Sequence, residues 1–139
     1  MSQYMVEKYG PTDLRVMPDE PDYPAYLNWL FHSDATLTFP QTVVLRYKLQ
    51  EPGVADAAVE GYSRWFVSRC KLLETTLEDR EYLCSNRFTI ADICVSYAFV
   101  VAESLGINQA FKPNIKRYTD MLFKREAFIR SKSYKFEDK

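Results

Sequence analysis

Residues 88–92 read Phe88-Thr89-Ile90-Ala91-Asp92, and they open an apolar run in which Ile90, Ile93, Cys94, Tyr97, Val101 and Leu105 recur at spacings of three and four. Thr89 stands where an N-cap hydroxyl accepts a hydrogen bond from an amide of the first turn. Asp92, three residues on, can return its carboxylate to the Thr89 amide. This is a capping box with Asp in place of the commoner Glu or Gln. Phe88 before the cap and Ile93 within the first turn supply the pair for a hydrophobic staple. The spacing predicts a buried helix that starts at Ile90 and is ended by Gly106. Thr89 and Asp92 are therefore read as a structural capping pair whose role is folding, not chemistry.

Outward from this helix, the rest of the chain also reads as helical. Downstream, Pro113 suits the first turn of another helix, with Ile115, Tyr118, Met121 and Leu122 inward. Phe128 and Ile129 add a final short helix, and the polar tail Ser131–Lys139 reads as frayed. Upstream, residues 79–88 read as a loop. Before it, Val59, Tyr62, Phe66, Cys70, Leu73 and Leu77 form one stripe of a long amphipathic helix. An earlier stripe holds Tyr23, Tyr26, Leu27, Leu30, Phe31 and Leu37, and the pattern resumes at Val43, Val44, Tyr47 and Leu49. Pro40 lies inside that segment and removes a backbone donor, which predicts a kink near Thr36–Pro40. Pro52-Gly53 separates the two long helices, and so short a break predicts antiparallel packing. No strand-like alternation is present, so the fold class is all-α, a bundle of about five to six helices with a kinked first long helix.

The N-terminal residues are organised differently. Residues 3–9 read as a short helix stopped at Gly10-Pro11, and Pro11, Pro18 and Pro21 then stand among Asp13, Asp19, Glu20 and Asp22. Prolines at that density exclude a helix interior or a central strand, so this stretch reads as a linker or extended arm. The expected organisation is 1–10, the tail of a preceding domain; 11–21, a linker; and 22–139, a helical domain.

Bulk composition bounds the function. The chain has 139 residues, 47% of them hydrophobic, with a net charge of −1 and a pI near 5.9. That length holds one core, and so balanced a charge argues against nucleic acid or an anionic membrane as partner. The 3 cysteines, Cys70, Cys84 and Cys94, form no CxxC pair and no metal-ligand spacing with the single histidine, so neither a metal nor a disulfide framework is expected. Met1-Ser2-Gln3-Tyr4 has neither the basic nor the apolar region of a signal peptide, and no apolar run is long enough to span a bilayer. The expected location is the cytoplasm.

The ordered motifs resemble one family. Arg80-Glu81-Tyr82-Leu83 followed by Phe88-Thr89-Ile90-Ala91-Asp92 resembles the signature of the glutathione S-transferase C-terminal domain. In the same order follow Ala102-Glu103-Ser104-Leu105-Gly106, Phe111-Lys112-Pro113-Asn114-Ile115 and Arg125-Glu126-Ala127-Phe128. Tyr26-Leu27-Asn28-Trp29-Leu30 is similar to the start of the family's first C-domain helix. The resemblance spans about residues 22–130. Glu7-Lys8-Tyr9-Gly10 resembles the end of the last helix of the family's thioredoxin-like N-terminal domain, whose earlier pieces are not found in this sequence.

That resemblance implies a parent enzyme that joins glutathione to a hydrophobic electrophile in detoxification. The thioredoxin-like domain holds glutathione, and the helical domain shapes the electrophile pocket and the dimer interface. No cofactor, no catalytic residue and no activity are expected for this chain alone, and its expected partner is a second copy or a thioredoxin-like domain. The alternative is a non-catalytic interaction module of the same fold, as in elongation-factor or synthetase complexes. In the family the kinked helix covers the active site, which makes His32, Thr36 and Phe39 candidates for the substrate pocket. Asp34 resembles in position an acidic residue that in some classes reaches glutathione across the dimer, although spacing alone reads it as a solvated charge. His32, with no partner at fixed spacing, does not read as a catalytic base. Tyr97 reads as core and Trp65 as interface. Arg69 and Lys71 flank Cys70 and hint at a reactive thiol, a hint outweighed by its place on the apolar stripe.

Overall fold

The capping box forms in the computed structural model, which describes residues 1–133. Thr89 Oγ1 accepts from the Ala91 amide at 3.3 Å, and Asp92 Oδ2 accepts from the Thr89 amide at 2.7 Å and the Thr89 hydroxyl at 3.0 Å. The other carboxylate oxygen reaches further along the chain. Asp92 Oδ1 accepts from the Leu83 amide at 3.1 Å and from the Tyr118 hydroxyl at 2.7 Å. Asp92 is completely buried, and so is Tyr118. One carboxylate therefore fixes the start of a helix, the loop before it and the helix after it. Burial pushes the Asp92 carboxyl up from its ordinary value, and its hydrogen-bond donors pull it back.

Around this knot the chain is helical, with no strand among the described residues beyond an isolated bridge between Cys84 and Arg87. The elements are α1 (Ser2–Lys8), α2 (Tyr23–Phe31), α3 (Phe39–Leu45), α4 (Asp56–Thr76), α5 (Ile90–Ser104), α6 (Pro113–Phe123) and α7 (Glu126–Ser133). A 3₁₀ turn, Ile107–Ala110, joins α5 to α6. Gly106 ends α5 with a φ of +72°, a left-handed conformation that favours glycine. Pro113 occupies the first turn of α6, where its missing N–H costs nothing. Of the tail expected to fray, Ser131, Lys132 and Ser133 are helical as the end of α7, and residues 134–139 lie outside the described residues.

The first long helix is one continuous rod over residues 23–50, and its expected disturbance takes a defined form. Between α2 and α3, residues His32–Thr38 wind as a π-helix, and Arg46–Gln50 do so again after α3. Pro40 cannot donate and its ring crowds the preceding turn, so the ladder there steps to wider bonds. The Phe39 amide reaches Asp34 O, and Thr38 Oγ1 donates to Ser33 O at 2.7 Å. Gln41, fully buried, donates from Nε2 to Leu37 O and to Ala98 O, both at 3.0 Å, and so ties this irregular stretch to α5. The rod runs antiparallel to α4. Ala25 and Trp29 share a surface groove with Leu72 and Thr76, while Lys48 lies by Ser63 and Arg64 at the other end.

On α4 the expected stripe faces the core, with Phe66, Cys70, Leu73 and the C-cap Leu77 at 4% exposure or less and Val59 and Tyr62 half-buried against it. On two other helices the inward face differs from the expectation. The rod buries Tyr26, Trp29, Ser33, Leu37 and Val44, whereas Phe31 is 73% and Leu49 60% exposed. Helix α5 buries Ala91, Val95, Ala98, Phe99 and Ala102, whereas Ile93 is 41% and Tyr97 61% exposed. Tyr97 is thus not a core residue. Where almost every position is apolar, two stripes have helical period, and the narrower side chains mark the face that packs closely. Phe88 meets the edge of Tyr82 and the guanidinium of Arg125, which lies 3.6 Å from its ring centre.

The proline-rich arm is strapped down. Val16 is completely buried, and the Ile90 amide donates to Leu14 O at 2.9 Å. Arg87 reaches across, donating to Asp13 O and Arg15 O and gripping both carboxylate oxygens of Glu20 at 2.7 Å. Asp22 Oδ2 accepts from Arg80 and from the Ser85 amide, which sits in a turn where Ser85 and Asn86 both adopt positive φ, 51° and 49°. At Gly10, which leads into the arm, an added Cβ would lie 2.7 Å from the Val6 carbonyl, so only glycine fits.

Two expectations follow. Asp92→Ala strands buried donors and loses about 3 kcal/mol, while Tyr118→Phe removes one of them and loses about 1 kcal/mol; chemical denaturation measures both, and equal midpoints for wild type and Asp92→Ala would refute this assignment. The Arg87 guanidinium and the Met17 amide hold the Glu20 carboxyl at about 2, below its ordinary 4.5. A depressed carboxyl stabilises the docked arm above pH 4.5, and that contribution fades as pH falls from 4.5 towards 2. Hydrogen exchange at the Ile90 amide, corrected for its intrinsic pH dependence, should lose protection over that range, and should already have lost it near neutral pH in Arg87→Ala.

Candidate functional site

The described surface carries an apolar cleft where α1, the first π-helical stretch and the N-terminal half of α5 meet. It encloses about 620 Å³ and is lined by Leu27, Leu30, Phe31, Ile93, Cys94 and Tyr97, with Ser33, Asp34 and Thr38 as its polar edge. Residues 1–3 close one side. Helix α1 is held there by Tyr26, whose hydroxyl donates to Gln3 Oε1 at 2.6 Å, and by burial of Val6. Small-molecule sites are commonly concave, mostly apolar and of about 300–1,000 Å³, with few polar groups. This cleft has that character.

The four candidates from the kinked stretch separate between two faces. Asp34 is exposed and lies on the edge of the cleft. Phe39, 52% exposed, joins Asp34, Ala35, Thr38 and Thr42 around a shallower neighbouring hollow of about 380 Å³ that abuts it. His32 turns the other way. Its ring meets Trp29 edge-on with centres 5.4 Å apart, and Nε2 is buried with no hydrogen-bond partner. Burial, and then the charge of Arg69 on α4, pull its pKa below the ordinary 6.5. Thr36 is half-buried and lines neither hollow. The structure therefore brings Asp34 and Phe39 together and leaves His32 and Thr36 apart from them. Thr89 and Asp92 stand at the buried start of α5, as the capping pair already described.

Periodicity alone places the residues that build the cleft in the core. Phe31, Ile93 and Tyr97 belong to helices with more apolar residues than one buried face needs, and that surplus is the available signal. The cysteines also sort by position. Burial pushes the thiols of Cys70 and Cys84 up to about 12, so the cations flanking Cys70 do not activate it. Cys94 is half-buried on the cleft wall, its sulfur 3.7 Å from Ser2 Oγ. Among the described residues no cluster of His, Cys, Asp or Glu could hold a metal ion, and no helix is long and apolar enough to cross a membrane.

Residues 48–126 match the family profile described as glutathione S-transferase, C-terminal domain. The chain belongs to that family. Solved structures agree on the fold of this glutathione S-transferase C-terminal domain. Ure2p5 from Phanerochaete chrysosporium, cocrystallized with 1-(S-glutathionyl)-2,4-dinitrobenzene, superposes with a TM-score of 0.82 at 23% identity, over 95% of this chain and 64% of its own. The glutathione transferase URE2P6 of the same fungus, in complex with oxidized glutathione, gives 0.82 at 22% identity over 94% and 62%. A possible glutathione S-transferase from Rhodopseudomonas palustris gives 0.79 at 18% identity over 99% and 62%. The domain spans less than two thirds of the length of each of these proteins.

Accessibility in this transferase domain sets an order of thiol labelling. A maleimide should modify Cys94 alone under native conditions, with Cys70 and Cys84 reacting only on unfolding, as mass spectrometry of digested protein would show. Native labelling of Cys84 ahead of Cys94 would contradict the packing.

Proposed function

We propose that this chain is the helical half of a glutathione transferase and that the cleft between α1 and α5 is its pocket for a hydrophobic electrophile. The observation that carries this reading is the exposure of Phe31, Ile93 and Tyr97 around one concave apolar cleft beside α1. Side chains of this kind are normally covered, by a ligand or by another domain. In this reading residues 1–10 are the end of a thioredoxin-like domain, residues 11–21 the connecting arm and residues 22–139 the helical domain.

That neighbouring domain supplies the glutathione contacts and the group that activates its thiol, while this one supplies the apolar wall against which the electrophile lies. The related Ure2p5 cocrystallized with a glutathionyl dinitrobenzene supports an aromatic electrophile class. In this reading Asp34, exposed at the cleft edge, meets the ammonium of glutathione in a dimer, and Phe39 extends the wall. His32 and Thr36 act through the shape of the helix. Phe39, Trp65 and Leu72, each 40% exposed or more, give apolar surface to a second copy. The working compartment is the cytoplasm, and the chain by itself has no transferase activity.

Titration calorimetry and a conjugation assay test this together. The isolated chain should give no saturable heat with glutathione at millimolar concentration and no acceleration of its reaction with 1-chloro-2,4-dinitrobenzene. It should bind a dinitrophenyl thioether, and Phe31→Ser with Tyr97→Ser should weaken that binding about tenfold, the effect of roughly 1.4 kcal/mol of lost apolar contact. Tight glutathione binding by the chain alone, or dinitrophenyl binding indifferent to the double substitution, would overturn the reading.

A further inference from the structure

A second cavity, of about 650 Å³, lies near the far end of α5, between α4, the 3₁₀ turn and the start of α6. It shares no lining residue with the cleft. Cys94 in the cleft and Leu105 here are eleven residues apart on the helix and its cap, about 16 Å at 1.5 Å per residue. The floor is apolar, made by Val67, Cys70, Leu105, Ile107 and Ile115.

The rim is cationic. Lys48, Arg64, Lys71 and Lys112 stand around it with a single carboxylate, Glu74. Arg64 is neutralised by Glu60, one turn earlier on α4. Glu74 is committed as well, since its two oxygens accept from the Asn114 and Ile115 amides, each at 3.1 Å, and so cap the first turn of α6. Lys48 gives a hydrogen to Leu105 O at the end of α5, which holds its ammonium over the cavity with two donors to spare. Lys48, Lys71 and Lys112 have no carboxylate partner among the described residues. A chain of near-neutral net charge has thus collected three ammonium groups without an ion-pair partner around one apolar hollow, against the one carboxylate of Glu74.

We propose that this cavity binds a free long-chain carboxylate, with the alkyl tail on the Val67–Ile107–Ile115 floor and the headgroup among the three lysines. Two features select this class. The apolar floor offers nothing to a purely polar anion such as a nucleic-acid backbone. The hollow is concave, of a volume that suits one small molecule, whereas a bilayer surface needs a broad convex or flat face. The proposal rests on neither the cleft nor the transferase reading.

Calorimetry on the full chain with laurate below its micellar concentration tests it. Saturable one-to-one binding is expected, with dodecyltrimethylammonium (the same tail with a cationic head) and acetate (the head without the tail) at least tenfold weaker. Lys71→Glu with Lys112→Glu should weaken laurate at least tenfold while the thermal midpoint stays put, because both side chains are exposed. Val67→Trp should do the same by filling the floor without changing charge, and if it fails to fold the lysine pair still decides. Phe31→Ser with Tyr97→Ser should leave laurate binding intact. Equal affinity for the cationic amphiphile, loss of binding in the cleft variant, or retention on phosphatidylglycerol vesicles with no binding of free laurate would each overturn the proposal.

Discussion

The carboxylate of Asp92 accepts from the Leu83 amide, the Thr89 amide and hydroxyl, and the Tyr118 hydroxyl, in a place from which water is excluded. A buried acceptor is tolerable only when its lone pairs are met, and the partners that meet these come from three successive pieces of chain. Helix α5 therefore cannot start one residue early, nor can the loop at Leu83 or α6 shift, without leaving a buried polar group unpaired. The other packed elements take their positions from α5. Gln41 anchors the rod to it through Ala98 O, the arm docks on it through Leu14 O, and Lys48 closes its far end at Leu105 O.

A rigid α5 also explains why the functional surface lies where it does. Its narrow face, Ala91, Val95, Ala98 and Ala102, lets neighbouring helices approach closely. Its broad residues, Ile93 and Tyr97, are turned outward to form one wall of the cleft. The opposite wall comes from the rod, where the π-helical turn before Pro40 rotates successive side chains out of α-helical register. That turn sets Asp34 on the cleft edge and His32 against Trp29 on the far side. A single irregular turn thus sorts adjacent residues between a ligand-facing surface and the packing of α4.

Much of this was legible beforehand where a local rule has one solution. The capping box needs only Thr89 and Asp92 three apart, Gly106 suits a left-handed stop, Pro113 suits a first turn, and the α4 stripe has polar residues on every other face. Legibility failed where a rule had two solutions. Both stripes of α5 are apolar, and period alone does not choose between Ala98 and Tyr97 for the core. The arm failed for a different reason. Prolines exclude helix and strand but carry no information on docking, which here depends on Arg87 meeting Glu20 from 67 residues away. His32, Thr36 and Phe39 are pocket candidates by resemblance and Asp34 a separate one, and a regular α-helix would already have set the four on more than one face; the π turn fixed which.

What the sequence by itself determined was the set of helices, their stops and the family, because those follow from contacts within a few residues and from motifs in fixed order. Tertiary structure alone decided which apolar face became core, that the Pro-rich arm became a strap, and that two separate hollows opened at the two ends of α5. Each of those depends on pairs of residues far apart in the chain, whose meeting costs conformational entropy that no local pattern records.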